Sequence, residues 1–185
     1  MTQNDTDATA EQDAHVPAGS DYVSERTFAD FPISPELLQG ITERGYVNAT
    51  PIQSATIEAA LAGRDIVARA KTGTGKTAAF SIPILDRVTA GGGTQAVILA
   101  PVRELANQTA EECEALGAHL GISVALLVGG VAMGPQEQAL EAGAEVVVGT
   151  PGRVLDHFRR KNLDLSRVGH MCLDEADEML SMGFY

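Results

Sequence analysis

One segment of the chain combines glycines, a lysine and a threonine in the order that phosphate-binding loops use. It reads Ala-Lys-Thr-Gly-Thr-Gly-Lys-Thr over residues 70–77, between an apolar run at 65–68 and an apolar-periodic stretch at 78–85. A strand before the loop and a helix after it are the context in which such a loop binds phosphate. We expect the whole segment to line a phosphate site: Ala70, Lys71, Thr72, Gly73, Thr74, Gly75, Lys76 and Thr77.

The chemistry of this loop follows from its residue types. Gly73 and Gly75 allow bends that turn several backbone N–H groups toward one anion, and the start of the following helix adds partial positive charge. Lys76 would reach the β- and γ-phosphates of a nucleotide, and Thr77 would bind Mg²⁺. Ala70 departs from the general pattern, which has glycine there. A Gly/Thr-rich turn before a helix is the plainer alternative, but it leaves the Lys-Thr pair at the helix start unexplained.

Two carboxylates follow a second apolar run. Residues 168–173 are apolar at most positions and predict a buried strand of a parallel sheet that ends directly at Asp174. Ligands of open α/β sheets bind beyond the carboxyl ends of the strands, so Asp174 could hold hydrated Mg²⁺ and Glu175 could orient an attacking water. The alternative is that the two acids only favour the N-terminus of the next helix. Together with the phosphate loop, the pair indicates ATP hydrolysis with Lys76, Asp174 and Glu175 as catalytic residues.

Composition bounds the class of protein. The 185 residues are 44% hydrophobic, enough for one domain with a full core, and no stretch approaches the roughly 20 apolar residues that a membrane span needs. The N-terminus lacks the features of a secretory signal, and Cys113 and Cys172 show no metal-binding spacing. We therefore expect reduced thiols and a cytoplasmic protein without membrane contact. The four histidines form no cluster and are expected to be structural or on the surface.

The charge of the chain argues against a broad basic face. The formal net charge is −12, and residues 1–24 contain acids but no Lys or Arg. Because this segment is also polar and aperiodic, it predicts a disordered acidic tail over 1–24 that precedes a folded domain over 25–185. A nucleic-acid site would therefore consist of backbone amides and a few arginines.

The rest of the chain alternates strands and helices. Short helices are predicted around Leu37 and Ile41, ending at Gly45, and from a Thr50 cap to about Gly63. Strands are predicted at 65–69, 95–100, 122–128, 145–149 and 168–173, and helices at 76–89, 103–117, 135–142 and 151–160. This alternation predicts an α/β fold with a central parallel sheet flanked by helices on both faces.

Several motifs occur in order along residues 28–184, and the set resembles the N-terminal RecA-like P-loop domain of a DEAD-box RNA helicase. The segment Asp174-Glu-Ala-Asp177 matches the motif that gives the family its name, and residues 178–184 are similar to its bacterial members. The resemblance implies an ATP-dependent RNA helicase with ATP and Mg²⁺ as cofactors and RNA as partner.

The family reads adenine through a segment that is similar to Gly45-Tyr-Val-Asn-Ala-Thr-Pro-Ile-Gln53, although its usual proline is Ala49 here. It also has an aromatic residue seventeen positions before that glycine, where Phe28 stands. The resemblance implies that the Gln53 amide pairs with the N6 and N7 edge of adenine and that Phe28 stacks on the ring. An ordinary helix residue and a core aromatic are the respective alternatives.

Three further segments match the RNA-contacting motifs of the family's first domain. Each follows a predicted strand, so all three should meet at the carboxyl edge of the sheet. Val102 departs from the pattern, which usually has threonine there, and Thr150 is also expected to cap a helix. Arginines would bind phosphates, and the glycines would let backbone amides approach a strand. The residues implied are Pro101, Arg103, Gly129, Gly130, Thr150, Pro151, Gly152 and Arg153.

The family's second RecA-like domain, with its arginine fingers, would follow Tyr185. We therefore expect the 25–185 domain to be incomplete at its C-terminal end and the chain alone to be a nucleotide-binding half-site. Two alternatives stay open at this point: a binding module without turnover, and another P-loop ATPase such as a DNA translocase.

Overall fold

A computed structural model describes residues 24–184 of the chain. All of the predicted acidic tail except its last residue lies outside this range, so the prediction of disorder over 1–24 concerns residues that the structure does not describe. The described residues form alternating helices and strands, preceded by a short 3₁₀ turn over Phe28–Asp30.

Seven helices and four strands make up the described part of the chain. Their limits agree with most of the predicted elements to within a few residues. The helices are α1 (Pro35–Glu43), α2 (Pro51–Leu61), α3 (Lys76–Arg87), α4 (Arg103–Leu116), α5 (Met133–Glu141), α6 (Pro151–Arg159) and α7 (Ala176–Ser181). The strands are β1 (Ala96–Leu99), β2 (Val124–Leu127), β3 (Val146–Gly149) and β4 (His170–Leu173).

The sheet is parallel, with the strand order β2-β3-β1-β4. The registers are aligned, so that Leu127, Gly149, Leu99 and Leu173 lie side by side at the carboxyl ends of their strands. Every segment that follows a strand therefore emerges at the same edge. This alignment is what brings distant motifs together, and it confirms the predicted α/β fold with a central parallel sheet.

Helices cover both faces of the sheet. Side chains alternate along β3: Val146 and Val148 join the core under α1 to α4, whereas Val147 joins a second core with Val154 of α6 and Leu163. All three valines have no exposed surface. A central strand buried on both faces needs apolar side chains on both faces, which is why β3 begins with three consecutive valines.

The prediction of a strand at 65–69 is wrong. Residues 64–70 have no regular secondary structure and pair with none of the described strands, and Val67 is fully exposed while Ile66 is 39% exposed. β-branched side chains favour a strand only when a neighbouring strand supplies hydrogen bonds and a packing surface. No described strand borders this segment, so the apolar pattern alone did not produce sheet structure.

Strand β4 also differs from its prediction as a buried strand. It pairs with β1 on one side only, and Met171 and Leu173 are 66% and 52% exposed. Within residues 24–184 β4 is an edge strand, and no described element covers the face that carries these two side chains. Side chains of β4 are alternately exposed and half-buried because one face of the strand is uncovered and the other packs against the core.

The helices of the described region are short or amphipathic, and none of them is long and apolar enough to cross a membrane.

Candidate functional site

The phosphate loop leads directly into helix α3, which begins at Lys76. Gly73 and Gly75 have φ angles of +81° and +86°, in the left-handed region that residues with a Cβ avoid. The Thr74 hydroxyl donates a hydrogen bond to the Lys71 carbonyl (2.7 Å) and closes the turn. The sequence folds this way because glycines stand at the two positions that need positive φ. The loop therefore lies at a helix N-terminus, as an anion site requires.

The side chain of Gln53 connects helix α2 to this loop. Its Nε2 donates to the Gly75 carbonyl (3.1 Å), and its Oε1 accepts from the Thr50 backbone N–H (2.8 Å). The Thr50 hydroxyl accepts from the Gln53 backbone N–H (3.4 Å), which completes a capping box at the start of α2. Gln53 is 4% exposed. The amide thus holds the loop in this structure, and its pairing with adenine stays a prediction.

Gly75 is more constrained than Gly73. A Cβ built on Gly75 would overlap the Gln53 amide nitrogen, whereas a Cβ on Gly73 would meet no atom within 4 Å. Both glycines supply positive φ, but only Gly75 also makes room for the side chain that anchors the loop.

Phe28 lies in the core. It is 2% exposed, and its ring packs against Phe31 and Tyr46 with centroid distances of 6.0 Å each. Its backbone N–H donates to the Val47 carbonyl (3.1 Å), which brings it beside the segment that carries Gln53. The structure therefore shows the core packing that the sequence left as an alternative, and stacking on adenine stays a prediction.

A carboxylate that the sequence did not single out supports this core. Glu112 of α4 accepts from the Tyr46 hydroxyl (2.7 Å) and from Arg44 Nε (3.0 Å). Burial and the neighbouring Glu112 raise the pKa of Tyr46 to about 12, so the phenol keeps its proton and donates it. No sequence signal marks these contacts, because Tyr46 lies 66 residues and Arg44 lies 68 residues before Glu112 in the chain.

The two carboxylates lie where β4 ends. The Asp174 backbone N–H donates to the Leu99 carbonyl (2.9 Å), and Asp174 is 7% exposed. Glu175 occupies the N-cap position of α7 with φ +51°, an uncommon conformation for a residue with a side chain. Its Oε1 lies 3.9 Å from Lys76 Nζ. The structure therefore brings the phosphate-loop lysine and the predicted water-orienting carboxylate to one place.

The electrostatics of Asp174 fit a cation site. Burial raises the pKa of its carboxyl above the usual value and Glu175 adds to that rise, whereas Lys76 opposes it. A cation beside Asp174 would favour the charged carboxylate. The predicted donors, a Thr77 hydroxyl and one carboxylate, are hard oxygen ligands that suit Mg²⁺, which is commonly held by one or two carboxylates and substrate phosphates. Residues 24–184 contain no cluster of three or more His, Cys, Asp or Glu side chains that could cage a metal alone.

The three predicted RNA-contacting segments also meet at the carboxyl edge. Arg103 begins α4 after β1, and a Cβ on Gly130, which follows β2 with φ +76°, would lie 3.3 Å from Arg103 Nη1. Arg153, in the first turn of α6, donates from Nη1 to the Val131 carbonyl (3.3 Å). The two arginines therefore flank the Gly129-Gly130 loop. Pro101, Thr150, Pro151 and Gly152 belong to the same three connections.

The prediction that Thr150 stands at the cap of a helix is confirmed. Thr150 occupies the N-cap position of α6, but its side chain makes no capping hydrogen bond. The backbone of Thr150 makes the hydrogen bonds at this end of α6. Its N–H donates to the Leu127 carbonyl (3.0 Å), and its carbonyl accepts from the N–H of Arg153 (3.1 Å). Pro51 of α2 and Pro151 of α6 both stand in the first turn of their helices. Proline is suited to this position because the N–H that it lacks would make no hydrogen bond within the helix there.

A glycine-rich loop, a lysine and two carboxylates at the carboxyl edge of a parallel sheet define a P-loop domain. The model of the DEAD/DEAH box helicase family matches residues 50–185, and the chain belongs to that family.

Curated relatives agree with this assignment. The chain is 51% identical over 170 residues to the ATP-dependent RNA helicase DeaD of Mycobacterium tuberculosis, a match that covers 91% of the chain and 30% of that relative. It is 44% identical over 159 residues to the DEAD-box ATP-dependent RNA helicase CshA of Bacillus subtilis, covering 85% of the chain and 32% of the relative. The chain therefore spans about a third of the length of these relatives.

Solved structures confirm the RecA-like fold. A DEAD box protein from Methanococcus jannaschii is 45% identical, with a TM-score of 0.82 over 85% of the chain and 44% of that protein. A hypothetical ATP-dependent RNA helicase from Sulfolobus tokodaii is 39% identical, with a TM-score of 0.75 over 82% of the chain and 44% of that protein.

Proposed function

We propose that this chain is the ATP- and RNA-binding N-terminal part of an ATP-dependent RNA helicase. The observation that carries the proposal is the meeting of Lys76 and Glu175, 3.9 Å apart, at the same sheet edge as the arginine-flanked Gly129-Gly130 loop. Membership of the DEAD/DEAH box family and relatives named as ATP-dependent RNA helicases support it.

In the ATP site, the loop amides and Lys76 bind the β- and γ-phosphates, and Thr77 and Asp174 hold Mg²⁺. Mg²⁺ held by these residues would supply positive charge that offsets the negative charge developing on the phosphates. Glu175 orients the attacking water from the N-cap of α7. When ATP binds, Lys76 exchanges its contact with Glu175 for the phosphates, which leaves the carboxylate free to accept a hydrogen bond from that water.

Adenine recognition is assigned to Gln53 and Phe28. Gln53 joins the base to the phosphate loop, because its Nε2 already donates to Gly75 and a second N–H remains for a base acceptor. Phe28, whose backbone bonds to Val47 beside this segment, would stack on the adenine ring.

In the RNA site, Arg103 and Arg153 bind phosphates while the amides at Gly129-Gly130 and at Pro151-Gly152 approach the backbone. Contacts of this kind track a single strand without reading its sequence. They also suit a chain with a net charge of −12, since they need local donors rather than a basic face.

Turnover and unwinding are assigned to the whole protein. Arginine fingers in a second RecA-like domain would supply the cations that this half-site lacks at the developing charge. The alternative is a nucleotide- and RNA-binding module without turnover. A cytoplasmic location is proposed because Cys113 and Cys172 are free thiols.

Two substitutions test the two sites separately. Lys76→Ala should abolish ATP binding measured by calorimetry, since it removes the mobile cation at the β- and γ-phosphates. Lys161→Ala, which changes a lysine just beyond the C-terminal end of α6, is the control. Arg153→Ala in the whole protein should weaken RNA binding equally across sequences and lower the salt dependence by about one phosphate contact. Arg167→Ala, at the opposite edge of the sheet, is its control. Full ATP affinity in Lys76→Ala, or altered base preference with an unchanged salt slope in Arg153→Ala, would contradict the proposal.

A further inference from the structure

One buried amide fastens both ends of the loop that carries Gly129 and Gly130. Gln136 of α5 donates from Nε2 to the Val128 carbonyl (3.2 Å) at the start of this loop and to the Ala132 carbonyl (3.0 Å) at its end. Gln136 is 6% exposed. Residues 128–132, called the glycine loop below, are therefore closed across a single side chain.

The amide of Gln136 is itself held by His157 of α6. Since backbone carbonyls can only accept, the two contacts of the glycine loop fix which end of the Gln136 amide carries nitrogen. Its Oε1 must then be the atom that faces His157 Nε2, at 3.3 Å, so the imidazole carries its proton on Nε2. His157 has no exposed surface, and its Nδ1 has no hydrogen-bond partner among the described residues.

Helix α6 thus contacts the glycine loop at two points from one face. Arg153 donates to the Val131 carbonyl near the loop tip, and His157, four residues later, holds the loop base through Gln136. Residues four apart on a helix are neighbours on the same face, which is why the two contacts reach the same loop. A separate bond between Asn162 Nδ2 and Glu137 Oε1 (2.8 Å) joins the same parts of the chain without touching the loop.

We propose that His157 and Gln136 are positioning residues that hold the glycine loop in register with the N-terminus of α6. Their role is to present the loop amides and Arg153 to the same stretch of RNA backbone. This inference rests on the proposed RNA-binding function of these segments. Neither residue touches RNA; each acts through the backbone it fixes.

The neutral form of the His157 imidazole makes the hydrogen bond to Gln136. Burial lowers the pKa of His157, and Arg153 lowers it further. Arg160 acts in the same direction, while Asp156 of α6 and Glu137 of α5 oppose it. A proton on Nδ1 would place a second positive charge beside Arg153 in a site closed to water, so acid should loosen the loop.

The test compares two variants of His157 in the whole protein. His157→Phe keeps the ring volume but removes the donor, whereas His157→Gln keeps an N–H donor at a similar reach. We expect His157→Phe to weaken single-stranded RNA binding about three- to tenfold, the range that one net hydrogen bond corresponds to, with ATP affinity unchanged. His157→Gln should recover most of the loss. Asn162→Ala, which removes the neighbouring bond to Glu137, should leave RNA affinity as it is.

A second readout, independent of RNA, follows amide hydrogen exchange over residues 128–132 in the ligand-free protein. Exchange there should accelerate in His157→Phe and return toward the wild-type rate in His157→Gln. Unchanged exchange and RNA affinity in His157→Phe, or equal losses in both variants with a parallel loss of ATP binding, would overturn the positioning role. If Arg153→Ala weakens RNA binding while His157→Phe does not, only this inference is wrong. If the wild type binds no RNA, the proposed function is wrong, and the inference falls with it.

Discussion

Replacing Gly75 by alanine should damage the phosphate loop more than replacing Gly73, although both glycines have nearly the same φ angle. At Gly73, where φ is +81°, a new Cβ meets open space. At Gly75, where φ is +86°, the Cβ overlaps the Gln53 amide nitrogen that donates to the Gly75 carbonyl. Gly73→Ala is therefore a control that reproduces the backbone strain without the steric contact.

The difference between the two variants follows from these contacts. A left-handed residue with a Cβ costs about 1–2 kcal/mol, of which the stiffer unfolded chain recovers about 0.4–1 kcal/mol, so Gly73→Ala should lose about 1 kcal/mol. Gly75→Ala must also displace Gln53, which loses a hydrogen bond of about 0.5–1.5 kcal/mol and leaves its rotamer at a similar cost. We expect Gly75→Ala to be less stable than Gly73→Ala by about 1–3 kcal/mol.

Urea unfolding of the ligand-free chain measures this difference. The Gln53→Ala background supplies the decisive comparison, because without the amide the two glycine variants should lose the same free energy of unfolding. Equal destabilisation by Gly73→Ala and Gly75→Ala in the wild-type background would refute the idea that Gln53 holds the loop through Gly75.

Three further results are expected. Gln53→Ala should weaken ATP and ADP binding alike and erode the preference over GTP; calorimetry that shows undiminished discrimination would contradict adenine recognition by Gln53. Burial lowers the pKa of His157, so as the pH falls through about 6.5 the unfolded chain takes up its proton before the folded chain does. This contribution to stability is therefore complete above that pH and is lost as the pH falls below it. The unfolding free energy should therefore fall less between pH 7 and pH 5 in His157→Gln than in the wild type, and parallel pH profiles would count against it. Glu175→Gln in the whole protein should keep ATP affinity but stop phosphate release, and undiminished turnover would remove Glu175 from the mechanism.

The sequence predicted where the glycine-rich loop and the two carboxylates lie because the signals for their positions are local. The phosphate loop needs positive φ at set positions, and only the glycines at 73 and 75 supply it within that run. Asp174 follows the last residue of β4 directly, so the position of the strand determines the position of the carboxylate. The sheet then brings Glu175 to Lys76 without any further signal in the sequence.

Other features depend on neighbours that no local pattern reveals. Residues 65–69 have the composition of a strand, but no described strand pairs with them. The resemblance assigns Phe28 and Gln53 to a base. In this structure Phe28 packs against two other aromatic rings, and Gln53 bonds to the Thr50 backbone and the Gly75 carbonyl. For His157 the sequence predicts only a structural or surface position.

The contact between Gln136 and His157 is the feature that local sequence patterns reveal least. The two residues are 21 positions apart on different helices, and neither has a motif. What gives them a role is the return of the chain through β3, which lays α6 beside the glycine loop. A prediction of this contact would have needed the strand order β2-β3-β1-β4 as well as the positions of the strands.

The half-site proposal is tested most directly by phosphate release from the purified chain of residues 1–185, with and without single-stranded RNA. Lys76, Thr77, Asp174 and Glu175 bind and orient the reactants, but arginine fingers, worth about 10³–10⁵ in rate, are assigned to a second domain. We predict weak ATP binding, marginal hydrolysis and no stimulation by RNA. Robust RNA-stimulated release that disappears in Glu175→Gln would show that this chain completes its own site, and would contradict the half-site proposal.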